Sequence, residues 1–126
     1  MENENFIWEI HGELIKAEVA ESVVIRMNAY EFREKLHPNK SLPRITAVYD
    51  FMKQEKRAWM PVIGLIIDAE TGAVSGYRYV QGSHTAFNAL AFTETICFMV
   101  PKKQADIFKK FLQPYQIELF ETNEFI

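Results

Sequence analysis

The stretch from Pro61 to Val80, PVIGLIIDAETGAVSGYRYV, constrains the fold more than any other part of the chain. Its first half is rich in branched apolar residues and its second half alternates, which is typical of two strands. Between them Asp68 to Gly72 has turn composition, and Gly72 can take the left-handed backbone conformation. The stretch therefore predicts a β-hairpin. Because Val62 to Ile67 carry no polar side chain, we expect that strand to be central and covered on both faces.

A second hairpin is predicted near residues 5–27. Phe6, Trp8 and Ile10 alternate with other residues, and a second alternating stretch follows after His11 and Gly12. Alternation of this kind indicates strands, and glycine at the second position of a tight turn supplies the positive φ that the turn requires. His11 is then interpreted as a turn residue, and the segment SVVIRM as a further strand.

Helix signals follow. Asn28 with Glu31 three residues later resembles a capping box, which predicts a short helix with Phe32 and Leu36 on its inner side. Residues 45–57 fit both a strand and a helix, and we favour the helix.

The C-terminal third predicts strands near 94–100 and 116–121, with a helix from Lys102 between them. The sum is a single α+β domain over residues 1–126. We expect a mostly antiparallel β-sheet, with hairpins near 5–27 and 61–80 and two to four helices packed on one face.

Composition limits the class of protein. A chain of 126 residues with 48% hydrophobic and 25% charged residues suits one globular domain. Its densest apolar run, AWMPVIGLII, has ten residues, against about 20 needed to cross a bilayer. The beginning of the chain carries acids where a signal peptide carries bases, and Cys97 is the only cysteine. We therefore expect a cytoplasmic protein without a membrane partner.

The stretch VQGSHTAFNAL raises the question of an anion site. If a helix begins near Ala86, the backbone N–H groups at Gly82, Ser83, His84 and Thr85 are candidates to bind phosphate. The stretch lacks the glycines and the lysine of known phosphate loops. The favoured interpretation is that Ser83 or Thr85 caps the helix.

Catalytic and metal chemistry find little support. Ser83 and His84 are adjacent and point apart, and no spacing identifies an orienting acid or an oxyanion hole. His11, His37 and His84 share no ligand spacing, so neither a metal nor another cofactor is predicted. Cys97 lies in an apolar segment and is interpreted as a buried, inert thiol.

Basic and aromatic side chains are the remaining candidates for binding. Arg57 lies beside Trp59, and Tyr77 and Tyr79 share one face of a predicted strand, where either partner binding or core packing explains them. The predicted C-terminal helix carries a row of basic residues on its outer face: Lys102, Lys103, Lys109 and Lys110.

The sequence favours a non-catalytic protein-binding module, such as an inhibitor, an immunity-type protein or an accessory protein. Its partner is expected to be another protein or a second copy of itself. The residues expected to contact this partner are Arg57, Trp59, the two tyrosines and the four lysines. Two alternatives stay open. One is nucleic-acid binding through the helix face from Lys102 to Lys110, although the net charge of −3 gives no global attraction to phosphate. The other is a protein that binds a small ligand or phosphate, or an enzyme, at Gly82–Thr85.

Overall fold

The computed structural model describes residues 5–10, 21–38 and 42–125, and these residues have the expected α+β architecture. The strands are β1 Ile7–Glu9, β2 Ser22–Asn28, β3 Arg57–Trp59, β4 Val62–Ile67, β5 Val74–Gln81, β6 Thr95–Pro101 and β7 Ile117–Glu121. The helices are α1 Ala29–Lys35, α2 Leu42–Glu55, α3 Ser83–Asn88 and α4 Ala105–Phe111, with short 3-10 segments at Ala89–Ala91, Lys102–Gln104 and Thr122–Phe125.

Five of the strands form one sheet in the order β5-β4-β6-β2-β7. Neighbours are antiparallel except β4 and β6, which run parallel and are in register at Val62 and Met99. The mostly antiparallel sheet and its strands near 94–100 and 116–121 are therefore confirmed.

The hairpin of β4 and β5 is also confirmed. The N–H of Asp68 donates to the carbonyl of Ala73 at 2.8 Å, and Gly72 has a φ of 75°. The Asp68 carboxylate accepts the N–H groups of Thr71 and Glu70, and these bonds lower the pKa of Asp68. Such a turn closes from local residues alone, which is why the sequence predicted it.

The expected coverage of β4 on both faces is wrong. Ile63 and Leu65 are buried, whereas Ile66, on the opposite face, is 49% exposed. The strand is internal to the sheet, but an apolar run does not show which of its faces other elements cover.

Helices α1 and α4 pack on one face of the sheet. The ring of Phe98 on β6 lies 5.0 Å from that of Phe32 on α1 and 6.4 Å from that of Phe108 on α4. The Asn28 side chain accepts the N–H of Glu31 at 3.0 Å, so the predicted cap is confirmed, and Phe32 and Leu36 are buried as expected.

Residues 42–55 form helix α2, which confirms the favoured interpretation of this ambiguous stretch. Met52 is fully buried, and the Asn88 amide donates to the carbonyl of Ile45 at 3.1 Å. The chain leaves α2 through Lys56, whose φ of 56° redirects it into β3. No helix in the described part of the chain is long and apolar enough to span a bilayer.

Strand β1 lies within the hairpin that was predicted near residues 5–27, and it pairs with β3 in parallel. The second strand of that predicted hairpin, together with His11 and Gly12, falls at residues 11–20, outside the described residues. The two-stranded unit of β1 and β3 is called the ribbon below.

Candidate protein-binding surface

The ribbon presents one face to the core and one outward. Ile7 pairs with Arg57, Trp8 with Ala58 and Glu9 with Trp59. Trp8 and Ala58 are buried, and the Trp8 indole N–H donates to the carbonyl of Thr95 at 3.1 Å. Side chains alternate along a strand, so the residues of the other two pairs, Ile7 with Arg57 and Glu9 with Trp59, lie on the outer face.

Three large apolar side chains are concentrated on this outer side. Ile7 is 56% exposed, Trp59 46% and the neighbouring Phe51 of α2 43%. Together with Arg57 and Glu9 they are called the ribbon patch. Single exposed apolar residues are common, but a group of them beside an arginine is a feature of protein interfaces.

Arg57 is held at the centre of the patch by three contacts. Its Nη1 lies 3.0 Å from Oε1 of Glu9, and its Nη2 lies 3.6 Å from Oε1 of Glu55. Its guanidinium lies over the Phe51 ring, 5.4 Å from the centroid. Exposed ion pairs add little to stability. Their effect here is to fix the orientation of the guanidinium and of the aromatic ring beneath it.

An aromatic layer fixes the ribbon to the rest of the domain. The Phe6 ring lies 5.2 Å from Trp8 and 6.0 Å from Phe92, and Phe92 lies 5.0 Å from Tyr49 of α2. Backbone bonds add to this, because the N–H of Ile7 donates to the carbonyl of Lys56 at 3.1 Å. The ribbon that carries the patch is therefore held against the rest of the domain by ring contacts and backbone hydrogen bonds.

Tyr77 and Tyr79 lie on β5 opposite the buried Leu65 and Ile63. Their hydroxyls donate to backbone carbonyls at the end of α1, that of Tyr77 to His37 at 3.5 Å and that of Tyr79 to Leu36. Burial raises the pKa of Tyr79 above its ordinary value. Both hydroxyls bind the protein itself, which is the arrangement that the core-packing alternative predicts.

The four predicted lysines are all exposed, and two of them lie near acidic side chains. Lys102, in a 3-10 segment, lies 3.7 Å from a carboxylate oxygen of Glu121, and Lys109 lies 3.9 Å from one of Asp106. On the opposite side, Phe108 of α4 and the following Leu112 are fully buried. Nearby carboxylates therefore offset the charge of two of the four lysines. This weakens the attraction of this surface for nucleic-acid phosphates.

The segment Gly82–Thr85 begins α3, a helix of six residues. The predicted capping by Ser83 or Thr85 is wrong, because the N-cap residue is Gly82, which has no side chain. Gly82 has a φ of 86°, and a Cβ at this position would lie 2.6 Å from the Cα of Pro61. Positive φ and close packing therefore explain this glycine, and Ser83, His84 and Thr85 are half-buried beside it.

Cys97 is buried in β6, as predicted, and burial raises the pKa of its thiol to about 11. A thiol with so high a pKa is a poor nucleophile at neutral pH. His37 lies at the end of α1 and His84 in α3, and within the described residues no group of three His, Cys, Asp or Glu side chains could hold a metal ion.

Sequence reasoning found two members of the ribbon patch, Arg57 and Trp59, and missed Ile7, Glu9 and Phe51. The alternation that placed Phe6 and Trp8 on one side of β1 already puts Ile7 and Glu9 on the other. The parallel pairing that brings them beside Arg57 joins residues far apart in the chain and leaves no local signal.

Comparison of the chain with protein families, with curated proteins and with solved structures finds no significant match.

Proposed function

We propose that this protein is a non-catalytic, cytoplasmic protein-binding module, of the inhibitor, immunity-type or accessory kind, and that the ribbon patch is its contact surface. The observation that carries the proposal is the exposure of Ile7, Phe51 and Trp59 around the oriented guanidinium of Arg57.

The composition of the patch supports a protein partner. Tryptophan and arginine are the residues that most often dominate binding energy at protein interfaces, where they lie near the centre of the contact. Burying the exposed parts of three large apolar side chains would supply a favourable hydrophobic term.

The orientation of the patch supports the same conclusion. Binding costs less conformational entropy when the contact side chains are already held in place. Arg57 is restrained by Glu9, Glu55 and Phe51 before any partner arrives. Because both carboxylates already partner this guanidinium, we expect a largely apolar partner surface with a polar rim.

Affinity capture with paired variants tests the proposal. The tagged protein is used to capture companions from its source cells, and the companions are quantified by mass spectrometry. Phe51→Ala and Trp59→Thr should each lower the amount of a stoichiometric companion by about tenfold or more, as expected when a central contact is removed.

Two other exposed apolar residues provide matched controls. Ile66 and Val80 are 49% and 60% exposed and lie outside the patch, on β4 and β5. Ile66→Thr and Val80→Thr should leave the companion in place. The ribbon patch would be rejected if companion loss followed the control substitutions, or if the companion proved to be nucleic acid displaced by moderate salt.

A further inference from the structure

A second candidate site lies at the end of the sheet, away from every residue that the sequence singled out for binding. The ends of β2, β6 and β7, the start of α1 and the segment from Pro114 to Gln116 enclose an open groove of about 950 Å³. A volume of this order is in the range of small-ligand sites, about 300 to 1,000 Å³.

Arg26 supplies the positive charge in this groove. Its Nε donates to Oε1 of Glu118 at 2.8 Å, and its guanidinium lies 4.9 Å from the centroid of the Phe120 ring. Hydrogen bonding to Glu118 raises the pKa of Arg26, so it stays charged. In the described part of the chain no hydrogen bond occupies its two Nη atoms, and such a pair of donors matches a carboxylate.

Glu31 and Glu118 supply negative charge in the same groove. Glu31 uses its backbone N–H for the cap of α1, and none of the described residues forms an ion pair with its carboxylate. One guanidinium and two carboxylates therefore line the groove. The two acids would repel a ligand that carries only a carboxylate, and Arg26 would repel a ligand that carries only an ammonium group.

Apolar surface accompanies these charges. Pro114, Tyr115 and Ile117 also line the groove, with the amide side chains of Asn28 and Gln116. Amide groups hydrogen-bond a peptide backbone, and apolar walls favour apolar side chains. A single amino acid would fill little of the volume. A dipeptide carries the same two terminal charges on a longer chain, with a backbone amide between them.

We propose that this groove binds a short zwitterionic peptide, with the terminal carboxylate against Arg26 and the terminal ammonium against Glu31. The proposal is independent of the ribbon patch, because none of the residues that carry it belongs to that surface.

A titration of the full chain with leucyl-leucine, followed by amide NMR shifts, tests the site. We expect saturable shifts at Asn28, Glu31 and Ile117 at concentrations up to about 10 mM. N-acetyl-leucyl-leucine and leucyl-leucine amide should each bind about tenfold more weakly, because each lacks one of the two charges. Free leucine should also bind more weakly than the dipeptide.

Variants of both charged residues provide the second half of the test. Glu31→Gln keeps the backbone cap and removes the charge, and Arg26→Lys keeps the charge and removes the planar pair of donors. Each should weaken leucyl-leucine binding by about tenfold. Glu70→Gln and Arg78→Lys, at exposed positions outside the groove, are the matched controls and should bind as the natural chain does.

Four results would overturn the proposal. The first is the absence of any shift with leucyl-leucine, and the second is binding of either blocked dipeptide as tight as that of leucyl-leucine itself. The third is an unchanged affinity in Glu31→Gln, which would show that Glu31 does not bind the terminal ammonium. Binding of free leucine as tight as that of the dipeptide would refute the assignment to a peptide.

Discussion

Gly82 and Gly72 form a matched pair at the scale of single residues. Both have positive φ, but a Cβ at position 72 meets nothing within 4 Å, whereas one at position 82 would lie 2.6 Å from the Pro61 backbone. We expect Gly72→Ala to cost about 1 kcal/mol for the backbone conformation, and Gly82→Ala about 2 kcal/mol or more because Pro61 must also move.

Urea unfolding of the two glycine variants beside the natural chain measures this difference. Equal losses of stability would show that the contact with Pro61 relaxes without cost.

Cys97 makes stability depend on pH in the alkaline range. Its pKa is raised from 9.0 to about 11 in the folded protein, so folding favours the neutral thiol. This contribution is fully present below about pH 9 and decreases as the pH rises towards the folded value, by about 2 to 3 kcal/mol in all.

Urea unfolding of the natural chain and of Cys97→Ala, from about pH 8 to about pH 11, separates this contribution from those of other groups. The variant starts less stable because it loses packing, and the gap should narrow as the pH rises. Parallel curves would mean that the thiol does not titrate differently in the folded and unfolded states.

Gln104 matters at the scale of secondary-structure elements. Its amide accepts the N–H of Leu65 at 2.9 Å and donates to the carbonyl of the same residue at 3.2 Å. A side chain thus supplies ladder bonds to β4 beyond its pairing with β6 at Val62. Gln104→Ala should cost about 1 to 3 kcal/mol, because two backbone groups lose their partner.

Amide hydrogen exchange at Leu65 measures this effect directly. Exchange should be faster in Gln104→Ala and unchanged in Gln54→Ala, where an exposed glutamine of α2 is removed. Unchanged exchange at Leu65 in both variants would show that the Gln104 amide does not protect the strand.

The elements that the sequence predicted are those specified by neighbouring residues. The cap of α1 depends on Asn28 and Glu31, and the β4–β5 turn on Asp68 and Gly72. The contact of Gln104 with Leu65 spans 39 positions, and that of Arg57 with Glu9 spans 48. No periodicity in a single sequence encodes pairings of that kind, so the ribbon and its parallel register could not be predicted.

At the scale of the whole molecule, the sequence likewise predicted only part of the candidate surface. Arg57 and Trp59 could be predicted as contact residues from their residue types alone, since arginine and tryptophan are common in interfaces. Tyr77 and Tyr79 were selected by the same reasoning, yet their hydroxyls bind the end of α1. Which aromatic residues stay exposed depends on how the layers pack, and a strand pattern alone does not determine that.

The patch should contribute to binding more than to folding. Phe51 and Trp59 keep 43% and 46% of their surface exposed. We therefore expect Phe51→Ala and Trp59→Thr each to change the free energy of unfolding by no more than about 1 kcal/mol, far less than for a buried aromatic residue. Urea unfolding checks this, and a loss of several kcal/mol would identify these rings as structural.

Hydrogen exchange of the isolated protein and of its complex with the captured companion tests whether the ribbon patch is the contact surface. If it is, we expect slower exchange in the complex at residues 7–9 and 51–59, with α4 and the groove around Arg26 unchanged. Slower exchange along α4, with the ribbon unaffected, would contradict it.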